Sequence, residues 1–299
     1  MYISPYFLSR KRTPSRVRDP RGTALCVSPT PSEQPTGVTF SPAGLLTPYH
    51  IGVAQVLRER GRISPSVPLG GASGGALVAV ALALDLPFDQ ILDACISLNA
   101  QCTEHGTQWN LHGILANVLD ELLEDDVAFR VNARADEHAA PVVIGITRLF
   151  HKTHLAPRGV FVSTFQDRAH LIEALLCSCA IPLYFSRWPA LSYRGWPALD
   201  GFFAGSRADF GAPALSDVGV DRRNTLRVCP FSAPSVGMDL APESGPAITP
   251  HLRTNTSTTD SEKLLRWALG QPPPSESQVG DLYDAGRSDA GRFLKVHTF

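Results

Sequence analysis

In Gly71-Ala72-Ser73-Gly74-Gly75, one hydroxyl is set among residues with almost no side chain, directly ahead of the apolar run 76–84. A strand that turns sharply into a helix needs such neighbours, because larger side chains would collide with the tightened backbone. Gly71 and Gly75 around Ser73 therefore predict a nucleophile elbow. Ser73 would project into a cleft, and the first-turn amides of the following helix would face a developing negative charge. The chemistry that suits this arrangement is acyl transfer through a serine nucleophile.

A serine hydroxyl attacks only if a base removes its proton. One arrangement places a histidine late in the chain, after the serine and an acid. His251, in a Pro- and Thr-rich stretch, and His297, near the C-terminus, are the candidates for it. His170 falls on a helix face, His50 opens another, and His151 and His154 fall in a loop. The other arrangement uses Asp200, in Trp196-Pro197-Ala198-Leu199-Asp200-Gly201, where an apolar segment delivers one carboxylate just ahead of a glycine. Tyr184, Phe185, Trp188, Phe202 and Phe203 would keep water from it. An exposed aspartate, with a pKa of about 4, is a weak base, and burial strengthens it. Asp-Gly is also a common turn dipeptide, so spacing alone leaves both roles open for Asp200.

The chain has 299 residues, enough for one large domain or two modest ones with a sizeable core. Its 43% hydrophobic and 18% charged residues describe an ordinary soluble composition. A formal net charge of -1, with no sustained basic face beyond the N-terminus, argues against nucleic-acid binding. No apolar run reaches the roughly 18 residues of a membrane span. The longest, 74–84, is stopped by Asp85 and Pro87, so lipid contact should be peripheral. The six cysteines have no paired spacing and the histidines do not cluster, so no metal site is expected. Reduced core thiols and a reducing compartment fit them best.

Three segments follow from the composition. Residues 1–36 are basic and rich in Ser and Pro, with Arg10, Lys11, Arg12, Arg16, Arg18 and Arg21 facing only Asp19 and Glu33. They suit either a plastid or mitochondrial transit peptide or a disordered tail that meets anionic lipid. In the second case the expected place is the cytoplasm or a membrane surface. Residues 37–230 carry alternating signals: strands at 37–41, 67–69, 142–147, 159–163 and 225–228, and helices at 49–60, 76–84, 88–98, 111–123 and 167–180. The strands at 142–147 and 159–163 can join as a hairpin, and Asp167 can cap its helix. Such alternation predicts an α/β layer fold with a largely parallel sheet. Residues 231–299 read as a Pro- and Ser-rich loop to 261, then helices at 262–269 and 278–293 that either cap the core or form an appendage.

Four ordered blocks then carry a resemblance: Phe40-Ser41-Pro42-Ala43-Gly44-Leu45-Leu46-Thr47-Pro48-Tyr49-His50-Ile51-Gly52-Val53, the elbow with Ala76-Leu77, Ile181-Pro182, and Asp200-Gly201. Together they resemble the patatin-like phospholipases, most closely the adiponutrin-like branch and its plant and algal relatives, over roughly 37–230. The segment 175–185 also looks like the family's stretch ahead of its aspartate. The resemblance implies a patatin-type three-layer α/β fold whose mostly parallel central sheet is flanked by helices. It implies Ser73 as nucleophile and Asp200 as base, without histidine. Ala43, Gly44, Leu45 and the amide of Gly74 would form the oxyanion hole. It implies no metal or organic cofactor. The substrates would be lipid esters (phospholipids, lysophospholipids, galactolipids or acylglycerols) at a membrane or lipid-droplet surface. Three places depart from the family: Pro42 has no N–H to donate, Thr47-Pro48 fills a further glycine or basic position, and Phe202 stands where a second small residue is usual. The alternative those departures leave is a weak or inactive patatin-fold protein that binds or regulates lipid.

Overall fold

Short, wholly buried strands carry the centre of the molecule. The structure is a computed structural model, described here for residues 36–150, 156–250 and 258–297. The chain forms β1 (Gly37–Phe40), α1 (Thr47–Glu59), β2 (Leu69–Ala72), α2 (Gly74–Ala83), α3 (Phe88–His105), α4 (Leu111–Leu122) and α5 (Val127–His138). It continues through β3 (Val142–Arg148), β4 (Arg158–Val162), α6 (Arg168–Ser178), β5 (Leu191–Tyr193), β6 (Trp196–Leu199) and β7 (Thr225–Val228). The last elements are α7 (Ala233–Val236), β8 (Ala247–Ile248), α8 (Thr258–Ala268) and α9 (Glu276–Val296).

The strands form one sheet in the order β5-β6-β3-β2-β1-β7-β8, with β4 also paired to β3. The run β3-β2-β1-β7-β8 is parallel, and β4, β5 and β6 join antiparallel. Every residue of β1, β2 and β7 is buried. Helices shield a parallel sheet, which is why these strands read as small and apolar residues without alternation. The expected α/β architecture is the observed one. Register places the site: Phe40 pairs with Gly71 and Ala72 with Gly145. The chain therefore leaves β1 and β2 at the same edge of the sheet, where ligands bind in open α/β folds.

Helix α2 buries Ala76 and Val78 through Leu82, so it is a core helix. Among the described residues, no helix is long and apolar enough to cross a membrane. The terminal helices cap the core. Helix α9 lies against α1, and the Tyr49 hydroxyl donates to Asp289 Oδ2 at 3.0 Å. Two glycines permit the close approach. A Cβ on Gly52 would sit 2.0 Å from the Tyr283 carbonyl oxygen, and one on Gly286 would sit 2.1 Å from that of Tyr49.

Several elements differ from the expectations. Helix α3 continues past residue 98 to His105, because Asn99 and Cys102 turn inward and the break comes only at Gly106. Helix α5 was not expected at all. Its buried face, Val127, Ala128 and Val131, ends in Arg134, whose guanidinium donates to the carbonyls of Ala140, Ser64 and Val67 at 2.7, 3.0 and 2.6 Å. A buried arginine erases the apolar period that would announce a helix. The segment before Asp200 is a hairpin, β5–β6, turned by Arg194 (φ 47) and Gly195 (φ 81). A two-residue turn with both φ positive matches the twist of paired strands. The expected loop 230–261 contains α7 and β8, and β8 pairs with β7. Asp167 caps α6 as expected, accepting the His170 N–H at 2.8 Å. Five thiols are free among the described residues. The basic leader with Cys26, and His151, His154 and His251, lie outside the described residues.

The α1–α9 contact is directly testable. Gly286→Ala should lower Tm by several degrees, since the new methyl must separate two backbones at a cost of roughly 1–3 kcal/mol. Gly291→Ala, on the same helix but with nothing within 4 Å, should hold or raise it. Thermal melts of the two variants would show equal changes if the helices do not touch there.

Candidate active site

Ser73 joins β2 to α2 with φ 53 and ψ -130, a conformation that L residues resist. What permits it is the emptiness around it. A Cβ on Gly71 would come 2.1 Å from the Gly75 carbonyl oxygen, and one on Gly75 would come 2.4 Å from that of Phe40. What holds it is one hydroxyl. The Ser73 N–H donates to Ser178 Oγ at 2.9 Å, and Ser178 donates onward to the Gly145 carbonyl at 2.7 Å. Ser178 is fully buried at the end of α6, so the elbow is tied through it to β3.

Asp200 follows β6 and is held at three points. Its N–H donates to the Ala180 carbonyl at 2.9 Å, and its carbonyl accepts the Thr147 hydroxyl at 2.8 Å. Its Oδ1 accepts the Phe202 N–H at 2.8 Å. The other carboxylate oxygen, Oδ2, is buried and makes no hydrogen bond of ordinary geometry. Burial pushes the carboxyl up to about 7, against the lowering effect of the Phe202 amide and the nearby Ser73 side chain. The two predicted residues are thus brought together.

Opposite the elbow, Gly44–Leu46 forms a 3-10 turn with Gly44 at φ 53. The Thr47 hydroxyl donates to the Gly44 carbonyl at 2.8 Å, and a Cβ on Gly74 would meet Thr47 Oγ1 at 2.4 Å. Loop and elbow are therefore in contact. Gly44, Leu45 and Gly74 line the same cavity as Ser73. Ala43 does not: its side chain packs with Leu46, Cys229 and Phe231 in a separate cluster. Pro42 turns toward Gly211. The N–H groups at the start of the turn and of α2 have no acceptor within their own helices.

From Ser73 the cavity runs between α2, α3, α4 and α6. Its wall is aliphatic, with Leu77, Ile91, Leu98, Leu115 and Leu119 among its residues. No histidine lines it among the described residues. His50 is fully buried with Nε2 at 2.9 Å from the Ser41 carbonyl, and burial lowers its pKa to about 4, so the ring is neutral there. His170 meets the Tyr193 hydroxyl at 2.8 Å, and His297 stacks on Phe293 at the end of α9. Cys179 lies beside Ser73 and Asp200, and burial holds its thiol protonated. Among the described residues, no group of His, Cys, Asp or Glu could hold a metal ion.

Sequence reasoning missed Ser178 and Thr147, the two hydroxyls that fix the pair. Ser178 carried a readable signal: a lone hydroxyl inside the apolar stretch 174–181 must find buried partners. Thr147 carried none, because its partner is set by the pairing of β3 with β6.

Residues 38–206 match the family model "Patatin-like phospholipase". The Mus musculus protein named 1-acylglycerol-3-phosphate O-acyltransferase Pnpla3 is 30% identical over 275 residues, 88% of this chain and 60% of that protein. Patatin-like phospholipase domain-containing protein 2 of Mus musculus is 27% identical, covering 89% of this chain and 51% of its own length. The chain thus spans about half to three-fifths of the length of these relatives. Among solved structures, VipD from Legionella pneumophila aligns with a TM-score of 0.50 at 12% identity, over 97% of this chain and 72% of that one. At such identity the likeness speaks to the fold alone. Since the family model matches more than half of its length, the chain belongs to the patatin-like phospholipase family.

Proposed function

We propose that the protein is a lipid acyl hydrolase in which Ser73 is the nucleophile and Asp200 the base. One observation carries this: a buried carboxylate, with one oxygen unpartnered, stands beside a serine on a strained elbow that opens onto an aliphatic cavity. Asp200 Oδ2 takes the Ser73 Oγ proton as Oγ attacks the ester carbonyl. The tetrahedral oxyanion faces the amides of Gly44, Leu45 and Gly74, with Ala43 bracing the turn from behind. Collapse forms the acyl-enzyme, and the leaving alcohol takes the proton from Asp200. A water then attacks the acyl carbon, giving its proton to Asp200 and releasing the fatty acid and the Ser73 hydroxyl. A lipid alcohol in place of that water would make the same site an acyltransferase, the activity in the name of one relative.

The cavity wall supports an aliphatic acyl chain as the bound half of the substrate. The ester class is therefore phospholipid, lysophospholipid, galactolipid or acylglycerol, met at a membrane or droplet surface. Pro42 donates nothing, yet it faces away from the cavity toward Gly211. Phe202 departs from the family in side chain only, since its backbone N–H is the group that binds Asp200. The reading as an inactive lipid-binding scaffold makes the opposite forecast for a fluorophosphonate probe, which should label Ser73 here.

Ser73→Ala and Asp200→Asn should each lower turnover of lipid esters on the order of 10³-fold or more, as for groups that act as a unit. Full activity in either variant, on a panel of lipid esters, would dismiss the dyad.

Activity should rise with pH through about 7, the pH at which Asp200 becomes ionised. Stability should run the other way. A carboxyl whose folded pKa is raised contributes fully below its unfolded value of about 3.9, and that contribution is lost as pH rises toward the folded value. The ionised form thus costs the native state on the order of 4 kcal/mol above pH 7. Asp200→Asn should melt higher than the parent at pH 8 and lose that advantage near pH 4. A variant that melts lower at pH 8 would contradict the burial argument.

Ser178→Ala removes a bridge between two buried groups and leaves both unpaired, costing about 1–3 kcal/mol of stability. Its kcat should fall further than its KM changes, because the elbow loses its tether while the acyl cavity is untouched. Unchanged kcat at lowered Tm would reduce Ser178 to a structural residue.

A further inference from the structure

Two large apolar side chains are held out into solvent on backbones that their residue types resist. Trp109 is 47% exposed at φ 72, and Leu183 is 58% exposed at φ 56. Left-handed backbone of this kind at a bulky residue persists only where the surroundings enforce it. Here each enforces the other. The Trp109 N–H donates to the Tyr184 carbonyl at 2.6 Å, and its indole N–H donates to the Leu183 carbonyl at 2.8 Å. The start of α4 is thereby stapled to the turn that follows α6. Leu111, two residues after Trp109, and Tyr184, next to Leu183, line the cavity that Ser73 opens onto.

The patch continues in both directions. Trp188 is 72% exposed, and the Arg187 guanidinium sits 5.2 Å over the Trp109 ring. On α8, Arg266 donates to the Gln271 carbonyl at 3.2 Å, and the Gln271 amide reaches the Tyr184 hydroxyl at 3.4 Å. Lys263 on the same helix lies 4.6 Å over the Trp267 ring. Arg187, Lys263 and Arg266 form no salt bridge among the described residues. Exposed indoles and leucine, bordered by cations that no carboxylate neutralises among the described residues, lie along one side of an aliphatic cavity.

We propose that Trp109, Leu183 and Trp188, with Arg187, Lys263 and Arg266, are the face by which this protein docks on an anionic phospholipid membrane. The inference rests on the reading of Ser73 as acting on lipid esters, and it names the surface that presents them. Indole rings settle at the headgroup level, where one edge meets hydrocarbon and the N–H meets a polar acceptor. Leucine extends toward the acyl chains. The cations are drawn to anionic headgroups over about a Debye length. Because the formal net charge of the chain is -1, this attraction must be local. A protein partner would also cover apolar side chains, but only a lipid surface both matches the indole-and-cation border and feeds the cavity behind it.

The test uses the full chain carrying Ser73→Ala, so that no lipid is consumed, with vesicles of phosphatidylcholine containing phosphatidylglycerol. Co-sedimentation and a blue shift of tryptophan emission should report binding. Adding Leu183→Asn and Trp188→Ser should weaken partitioning about tenfold or more, equivalent to at least ~1.4 kcal/mol. Asn accepts a left-handed backbone, so Leu183→Asn alone should hold or raise Tm. Phe129→Ser, at another exposed aromatic (75%), in a groove bordered by Arg130 and Glu137, should leave partitioning unchanged. Unaltered binding by the double variant would overturn the proposal. So would equal binding to vesicles of phosphatidylcholine alone, an equal loss with Phe129→Ser, or a fall in Tm with Leu183→Asn. Absence of turnover in the parent chain would sink the catalytic reading without altering any of these binding results.

Discussion

The backbone of Ser73 sits where an L residue is strained, and much of the molecule is arranged so that it stays there. Gly71 and Gly75 remove the side chains that would collide, because each faces a backbone carbonyl within 2.4 Å of where a Cβ would stand. Removing collisions only makes the conformation reachable. The Ser178 hydroxyl makes it the resting one, by accepting the Ser73 N–H and donating its own O–H to the Gly145 carbonyl. A hydroxyl suits this post because it accepts and donates at once. The strain is thereby shared with β3, a strand buried along nearly its whole length.

The same strand also supports the partner. Thr147, two residues beyond Gly145, donates to the Asp200 carbonyl, and β6 pairs with β3 through Thr147 and Leu199. Ser73 and Asp200 are therefore positioned by adjacent points on one rigid element, which leaves little freedom in their separation. In the proposed reaction, a bare carboxylate takes the place an imidazole would otherwise fill. Its ionisation is penalised by burial, so it gains basicity, and only the Phe202 amide and the serine itself offset that penalty. A further donor on Oδ2 would favour the carboxylate and lower its basicity.

What was legible in the sequence divides along the same line. The elbow was legible because its requirement is local: small residues at Gly71, Ala72, Gly74 and Gly75 answer a steric condition within five positions. The layered fold was legible from strands and helices that alternate. Asp200 was singled out by its apolar neighbours, but spacing left it level with a turn residue, and only the family resemblance separated the two. Its burial comes from the β5–β6 hairpin and from Ala180, contacts that sequence distance hides. Helix α5 was illegible for a different reason. Arg134 answers three carbonyl oxygens of the loops around it, so a charged residue occupies a core position and breaks the period.

The turn proposed to meet the oxyanion depends on residues well beyond the family match, which ends at 206. Gly44 keeps φ 53, and the Ala268 carbonyl oxygen lies 2.1 Å from where its Cβ would be. The end of α8 thus presses directly on the Gly44 turn, which lines the same cavity as Ser73. That end is itself secured from the cavity side. The Tyr184 hydroxyl donates to the Leu269 carbonyl, and the Thr107 hydroxyl donates to that of Gly270 at 3.0 Å. Asn99 adds a bond to the Pro274 carbonyl at 3.2 Å. Helix α3, the turn that follows it and the turn that follows α6, which all contribute to the cavity or its border, therefore also hold the segment after α8 that packs on the Gly44 turn.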